Sequence, residues 1–267
     1  MRVFLHNLIA FLFVCFLVCG WQTNALAQNT IQWSDRTWDI KSGDGLGPGP
    51  NNWSDSSDSV WVDADGNLHL KIREHEGVWY SAEIISQESL GYGNYEFRIS
   101  SDTESFDQNV VAGFFTYLND NEEVDIELAQ FGDPASSNAH FTVQPYTTPG
   151  NTFGFDLDLT DTRSTHSFDW NADRIEFESL VGHHSTPPTA NSIINQWTYA
   201  GPDIPQPSSE RARINFWLFQ GQAPTNGVDH ELIINSFQFT PASVPEPSTL
   251  AATLLFSVAA ILRRRRS

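Results

Sequence analysis

Through the middle of the chain, apolar and polar residues alternate in short runs separated by clusters of Gly, Pro, Asn, Asp and Ser. A period of two sends successive side chains to opposite faces, the signature of a strand with one buried face. Val60-Trp61-Val62 and Leu68-His69-Leu70-Lys71-Ile72 flank Asp63-Ala64-Asp65-Gly66-Asn67, which predicts a hairpin. Further strands are predicted over 92–99, 110–117, 124–128, 139–143, 165–170, 174–180, 214–219 and 231–239. No segment sustains a 3.6-residue apolar period for three turns. Many short strands at regular spacing predict an all-β chain, a sandwich of two sheets or a jelly roll. The Gly- and Pro-rich stretch 43–52 reads as a loop near the entrance to that sandwich.

Both ends of the 267-residue chain read as addressing segments. Residues 1–27 combine Arg2, an apolar run over 8–18 and Ala25-Leu26-Ala27, the layout of a cleaved secretory signal peptide. At the other end, Val244-Pro245-Glu246-Pro247 precedes an uncharged stretch over 248–262 and then Arg263 to Arg266. That stretch is shorter than the ~20 residues of a stable membrane span, and the arginines mark its cytoplasmic side. Box, span and arginine cluster together resemble the PEP-CTERM sorting signal, which implies processing by an exosortase-type enzyme. The expected domains are therefore a leader at 1–27, one folded domain at 28–243 and a sorting tail at 244–267. The folded part is expected to be secreted or held at the cell surface.

Charge narrows the partners. Residues 28–243 keep nine Lys and Arg against 32 Asp and Glu, a net charge near −23, which repels phosphate backbones and anionic membranes. Nucleic acid is excluded as a partner. Both cysteines, Cys15 and Cys19, lie in the leader, so the mature chain has no disulfide, thiolate nucleophile or zinc-thiolate site. The seven histidines of the mature chain show no metal-ligand spacing. Asp63 to Asn67, with Glu74 beyond, has a calcium-loop flavour, but Gly66 stands at the fourth position rather than the sixth; a hairpin turn is the better reading.

The chemistry-bearing segment is Glu122-Glu123-Val124-Asp125-Ile126-Glu127-Leu128. On a strand, Glu123, Asp125 and Glu127 share one face, while Val124, Ile126 and Leu128 point into a core. In a domain this acidic, composition alone yields about 0.7 such triplets by chance. The preceding run, Val110-Val111-Ala112-Gly113-Phe114-Phe115-Thr116-Tyr117, adds context, because it suits the middle of a sheet. Three carboxylates crowded on a packed strand raise at least one pKa. Such crowding suits a site where one carboxyl stays protonated as an acid and another is ionised as a nucleophile. The Cα atoms of Glu123 and Glu127 would lie ~13 Å apart. Glutamates leaning together can reach the ~5–5.5 Å carboxyl spacing of retaining glycosidases.

The chain resembles glycoside hydrolase family 16 β-glucanases, which have a concanavalin A-like jelly roll of two antiparallel sheets. Gly91-Tyr92-Gly93-Asn94-Tyr95-Glu96-Phe97-Arg98 resembles the family's Tyr-Gly-x-Tyr-Glu-x-Arg strand. Glu123-x-Asp125-x-Glu127 matches its catalytic signature in the unbulged form. Thr165 to Trp170 with Arg174-Ile175-Glu176-Phe177, and Ile214-Asn215-Phe216-Trp217, match later motifs in order. The resemblance implies Glu123 as nucleophile, Asp125 as assisting carboxylate and Glu127 as general acid/base. It places Glu83 against a sugar hydroxyl, and Gln144 and Tyr146 in the cleft. Where lichenases carry a substrate-binding arginine, this chain has Ile85, which departs from lichenan specificity.

Sugar rings present apolar faces that stack on aromatic side chains. Tyr117, Tyr146, Trp170 and Trp217 are the candidate platforms, with Trp79 behind them; in a sandwich such residues are also core formers. Arg98 reads as structural. The expected activity is retaining endo-hydrolysis of a β-linked polysaccharide or exopolysaccharide, with no cofactor required and no metal ligand assigned. The family also implies a possible structural calcium opposite the cleft, and a monomer is the expectation for this architecture. Two alternatives stay open: a non-catalytic glycan-binding lectin on the same fold, and a transglycosylase using the same residues.

Overall fold

The computed structural model describes residues 29–159 and 161–243; the expected leader and sorting tail lie outside the described residues. In chain order the strands are β1 (Thr30–Trp33), β2 (Arg36–Ile40), β3 (Gly43–Leu46), β4 (Asn51–Trp53), β5 (Val60–Val62) and β6 (Leu68–His75). There follow β7 (Val78–Ser86), β8 (Gly93–Ile99), β9 (Val110–Asn119), β10 (Glu122–Ala129), β11 (Ala139–Val143) and β12 (Thr152–Phe155). The last are β13 (Ser164–Trp170), β14 (Ile175–Val181), β15 (Ile193–Tyr199), β16 (Arg211–Leu218) and β17 (His230–Pro241).

All ten predicted strands form, and the predicted hairpin joins β5 to β6. Asp63 closes that turn: its Oδ1 accepts the backbone N–H groups of Asp65 and Asn67, and Gly66 supplies the positive φ. The period-two reading overlooked β7 because both its faces are covered: Ser81, Ala82, Glu83 and Ile84 are each 0% exposed. Hydrophobic alternation is lost where polar side chains are buried too. The stretch expected as a plain loop contains the short pair β3 and β4.

Antiparallel pairing builds one ladder in the order β1-β2-β7-β16-β9-β10-β11-β12. A second runs β5-β6-β17-β8-β13-β14-β15. The β6–β7 hairpin passes from one to the other, with β4 beside β7. The result is the all-β jelly roll of two antiparallel sheets. Between the sheets, Phe97 meets Phe114 at 5.2 Å, Phe141 meets Phe177 at 5.0 Å and Trp38 meets Phe237 at 5.4 Å between ring centroids. Val124, Ile126 and Leu128 of β10 point into this core at 0 to 1% exposure. The outer face of β10 is thereby left to its acids.

One candidate platform is corrected here. Trp170 ends β13, in the sheet that does not carry β10, and is 1% exposed. Its ring packs edge-on to Tyr92 at 5.2 Å and its Nε1 donates to the Pro205 carbonyl at 3.1 Å. A buried indole with its one donor satisfied is a core residue, with no face left for a sugar.

Candidate active site

Register carries the acids into contact with residues far away in sequence. Glu127 lies opposite Gly113 of β9, Gly113 opposite Asn215 of β16, and Asn215 opposite Glu83 of β7. The next row runs Asp125, Phe115, Arg213 and Ile85; the third, Glu123, Tyr117 and Arg211. On the far side of β10, His140 faces Glu127 and Thr142 faces Asp125. From Glu123 to Ala129 the β9–β10 pairing is regular, the only shift falling between Glu122 and Glu123. The three acids are therefore brought together on one face, as expected from spacing.

The face is recessed. Asp125 is 3% exposed and Glu123 and Glu127 are half-buried. At the Glu127 end, Trp53 and Trp217 form an apolar patch with Val111 and Ala129, flanked by Phe131 and Phe219. The segment bearing β3 and β4 is tied to β16 through Asn51, whose Nδ2 donates to the Leu218 carbonyl at 2.9 Å. At the Glu123 end, Gln144 donates its backbone N–H to the Glu123 carbonyl at 3.1 Å and its side-chain Nε2 to Asp125 Oδ2 at 3.1 Å. Tyr146, whose N–H donates to Gln144 Oε1, stands 68% exposed at this end. Tyr117 is half-buried directly across from Glu123, and Trp217 shows only an edge, at 7% exposure.

Glu83 reaches this face in a different role from the one expected. It is 0% exposed, and both its oxygens are taken: Oε2 by Lys41 Nζ at 2.7 Å, Oε1 by Arg213 Nη1 at 3.0 Å. Rather than presenting a free carboxylate, it anchors two cations. Lys41 lies over the Trp53 ring at 3.9 Å and Arg213 over the Tyr117 ring at 4.4 Å. Ile85 leaves no arginine on β7, yet a guanidinium stands on the same row, because Arg213 is its partner across the ladder. Sequence reasoning passed over Arg213, Lys41 and Asn215. The available signal was the spacing of Arg213, Asn215 and Trp217, which puts all three on one face of a strand.

Two buried polar atoms of this face have no hydrogen-bond partner, Asn215 Oδ1 and Arg213 Nε. Buried polar groups are almost always paired, so such orphans mark where a ligand's hydroxyls would bind. Gly113 leaves the room they need, since a Cβ there would stand 2.4 Å from Asn215 Oδ1.

Burial dominates the electrostatics. It raises Glu123 to about 7, against the opposing pull of a hydrogen bond with Asp125 and the Arg213 charge. Glu127 is raised to about 8 by burial and then by the charge of Glu123. Asp125 is pushed well above the usual carboxylate range by burial, then by Glu123 and Glu127. A protonated Asp125 donates to Glu123 and steadies its ionised form. Between about pH 7 and 8 this face pairs an ionised carboxylate with a protonated carboxyl on one strand. That is the division of labour glycosidic cleavage requires.

Among the described residues, no group of three or more His, Cys, Asp or Glu side chains could hold a metal ion. The acids of the Asp63 turn are used internally, Asp63 Oδ2 bonding Asn67 Nδ2 at 2.9 Å and His69 at 3.2 Å.

Comparison with known proteins agrees with the fold. The family model described as Glycosyl hydrolases family 16 matches residues 50–227. Among solved structures, Bacillus licheniformis β-glucanase aligns with TM-score 0.58 and 17% identity, covering 83% of this chain and all of that one. A β-1,3-1,4-glucanase (lichenase) from a mouse hindgut metagenome aligns with TM-score 0.57 and 19% identity over 79% of this chain and 96% of its own. A β-1,3-glucanase from Mycobacterium marinum gives TM-score 0.56 and 17% identity over 76% and 90%. No curated protein matches the chain.

Proposed function

Because the chain belongs to glycosyl hydrolases family 16, we propose that it is a secreted endo-glycosidase cleaving a β-linked polysaccharide with retention. The observation that carries this reading is the pairing of Glu123 and Glu127 on one recessed face, with Asp125 between them hydrogen-bonded to Glu123 and Gln144. Glu127 donates its proton to the glycosidic oxygen as Glu123 attacks the anomeric carbon, the C–O bond breaks and a glycosyl ester forms. Glu127, now ionised, takes a proton from water; the resulting attack releases the sugar and restores Glu123. A sugar hydroxyl in place of water would make the same cycle a transglycosylation.

The substrate we favour is uncharged. Even with Asp125 and Glu127 protonated, Glu83, Asp120, Glu122 and Glu123 outnumber Lys41, Arg211 and Arg213 around the face, and both Lys41 and Arg213 are bound to Glu83. A sulfated or uronate-rich chain would meet net repulsion. Tyr146, exposed at one end of the acid row, supplies stacking surface for a sugar, and the edge of Trp217 supplies an apolar contact at the other. Secretion is proposed from the layout of residues 1–27.

The test is release of reducing ends from β-1,3, β-1,4, mixed-linkage and galactan polymers. Glu123→Gln and Glu127→Gln should each abolish turnover while leaving the fold and glycan retention intact. Unchanged activity in either variant removes the assignment. Retention on one polymer in affinity electrophoresis, with no hydrolysis of any by the unmutated protein, would identify a lectin instead.

A further inference from the structure

We propose that Arg213 is the positioning residue of this site: its guanidinium holds Glu123 ionised, and its free Nε–H receives a hydroxyl of the sugar bonded to Glu123. The proposal rests on the glycosidase reading and assigns a role to a residue outside the acidic strand.

The geometry is a plate clamped at two edges. One face of the guanidinium lies over Tyr117, the residue directly opposite Glu123, and Nη1 is held by Glu83 at 3.0 Å. Glu83 also binds Lys41, so one buried carboxylate is shared by two cations. That cluster carries a surplus of one positive charge. Arginine keeps its charge when desolvated, so Arg213 stays a cation across the working pH range, whereas burial lowers the Lys41 pKa. Nε has no partner and no exposed surface, although it belongs to a clamped group on the acid face. A rigid N–H left empty beside a nucleophile fits a sugar hydroxyl, a group that accepts as readily as it donates.

The other groups around Glu123 do not supply this charge. Its own strand contributes Glu122, Asp125 and Glu127, the following segment no cation, and β11 only His140, which burial keeps neutral. From β9 come Tyr117 and, in the turn, Asp120, whose charge disfavours ionisation of Glu123. Arg211 is committed elsewhere, donating to the Ser86 carbonyl at 2.7 Å and lying 3.9 Å from Asp39. Lys41 lies against Glu83, the Gly47 carbonyl and the Trp53 ring.

The test has one readout that needs no turnover. Protein labelled with 13C at the glutamate carboxyls is titrated by NMR, and the Glu123 signal is identified by its loss in Glu123→Gln. In Arg213→Met the Glu123 midpoint should rise by about one pH unit, as expected for losing a nearby opposite charge. In Arg213→Lys, which keeps a cation, it should stay near the wild-type value. On a hydrolysed glycan, KM should rise roughly tenfold in both variants, since neither retains Nε–H. An unmoved midpoint in Arg213→Met, or KM unchanged in Arg213→Lys, overturns the proposal. A wild type that hydrolyses nothing, with the midpoint still shifted, would sink the glycosidase reading and the hydroxyl contact while sparing the electrostatic role. Should Arg213→Met fail to fold, Arg213→Gln carries the same comparison, because its amide can still reach Glu83.

Discussion

Replacing Glu127 by Gln should stabilise the protein by an amount that grows as pH rises from about 4.5 and levels off above about 8. Burial and the charge of Glu123 raise its pKa from the ordinary 4.5 to about 8. The folded state therefore holds this proton more tightly than the unfolded chain does. The associated stability is fully present below about 4.5 and is lost as pH rises through about 8. At ~1.4 kcal/mol per pH unit, the gap between those values sets a ceiling of ~5 kcal/mol. Glu127 is only half-buried, so solvent screening reduces this to roughly 2 kcal/mol. For a domain of this size that corresponds to roughly 4–8 °C in Tm. Glutamine has the shape of the protonated acid and never ionises. Calorimetric melting of both proteins from pH 4.5 to 9 should give nearly equal Tm values at the acid end, with the Gln variant ahead by the full amount at pH 9. A difference that does not vary with pH, or a less stable variant at pH 9, would show that Glu127 ionises without penalty and has no raised pKa.

Activity should follow a bell in kcat/KM. It should fall on the acid side as Glu123 protonates near 7 and on the alkaline side as Glu127 loses its proton near 8, and pH–rate profiles check both limbs. Gly113→Ala should raise KM roughly tenfold with secondary structure intact, because the new Cβ would fall 2.4 Å from Asn215 Oδ1; steady-state kinetics with circular dichroism tests this. Trp170→Ala and Trp217→Ala should both lower unfolding free energy, the first by about 3–5 kcal/mol in denaturant titrations, but should differ in KM, unchanged for Trp170→Ala and raised for Trp217→Ala.

Local pattern alone determined ten of the seventeen strands among the described residues and the facing of the acids. Alternation in Val124, Ile126 and Leu128 against Glu123, Asp125 and Glu127 is a property of neighbouring residues, and a strand's two-residue period turns it directly into faces. The same holds for the Asp63 to Asn67 turn, whose Asx bonds and glycine act within five residues. What lay beyond sequence was which face of the sandwich each distant residue joins. Trp170 and Trp217 are both aromatic residues near strand ends, yet pairing buries one in the opposite sheet and lays the other beside the acids. Arg213 reads as an ordinary charge until β16 settles between β7 and β9, setting it over Tyr117 and against Glu83. Those outcomes depend on ladder register between segments over a hundred residues apart. Register is decided by the whole core packing at once, because a one-residue slip would turn every buried side chain outward.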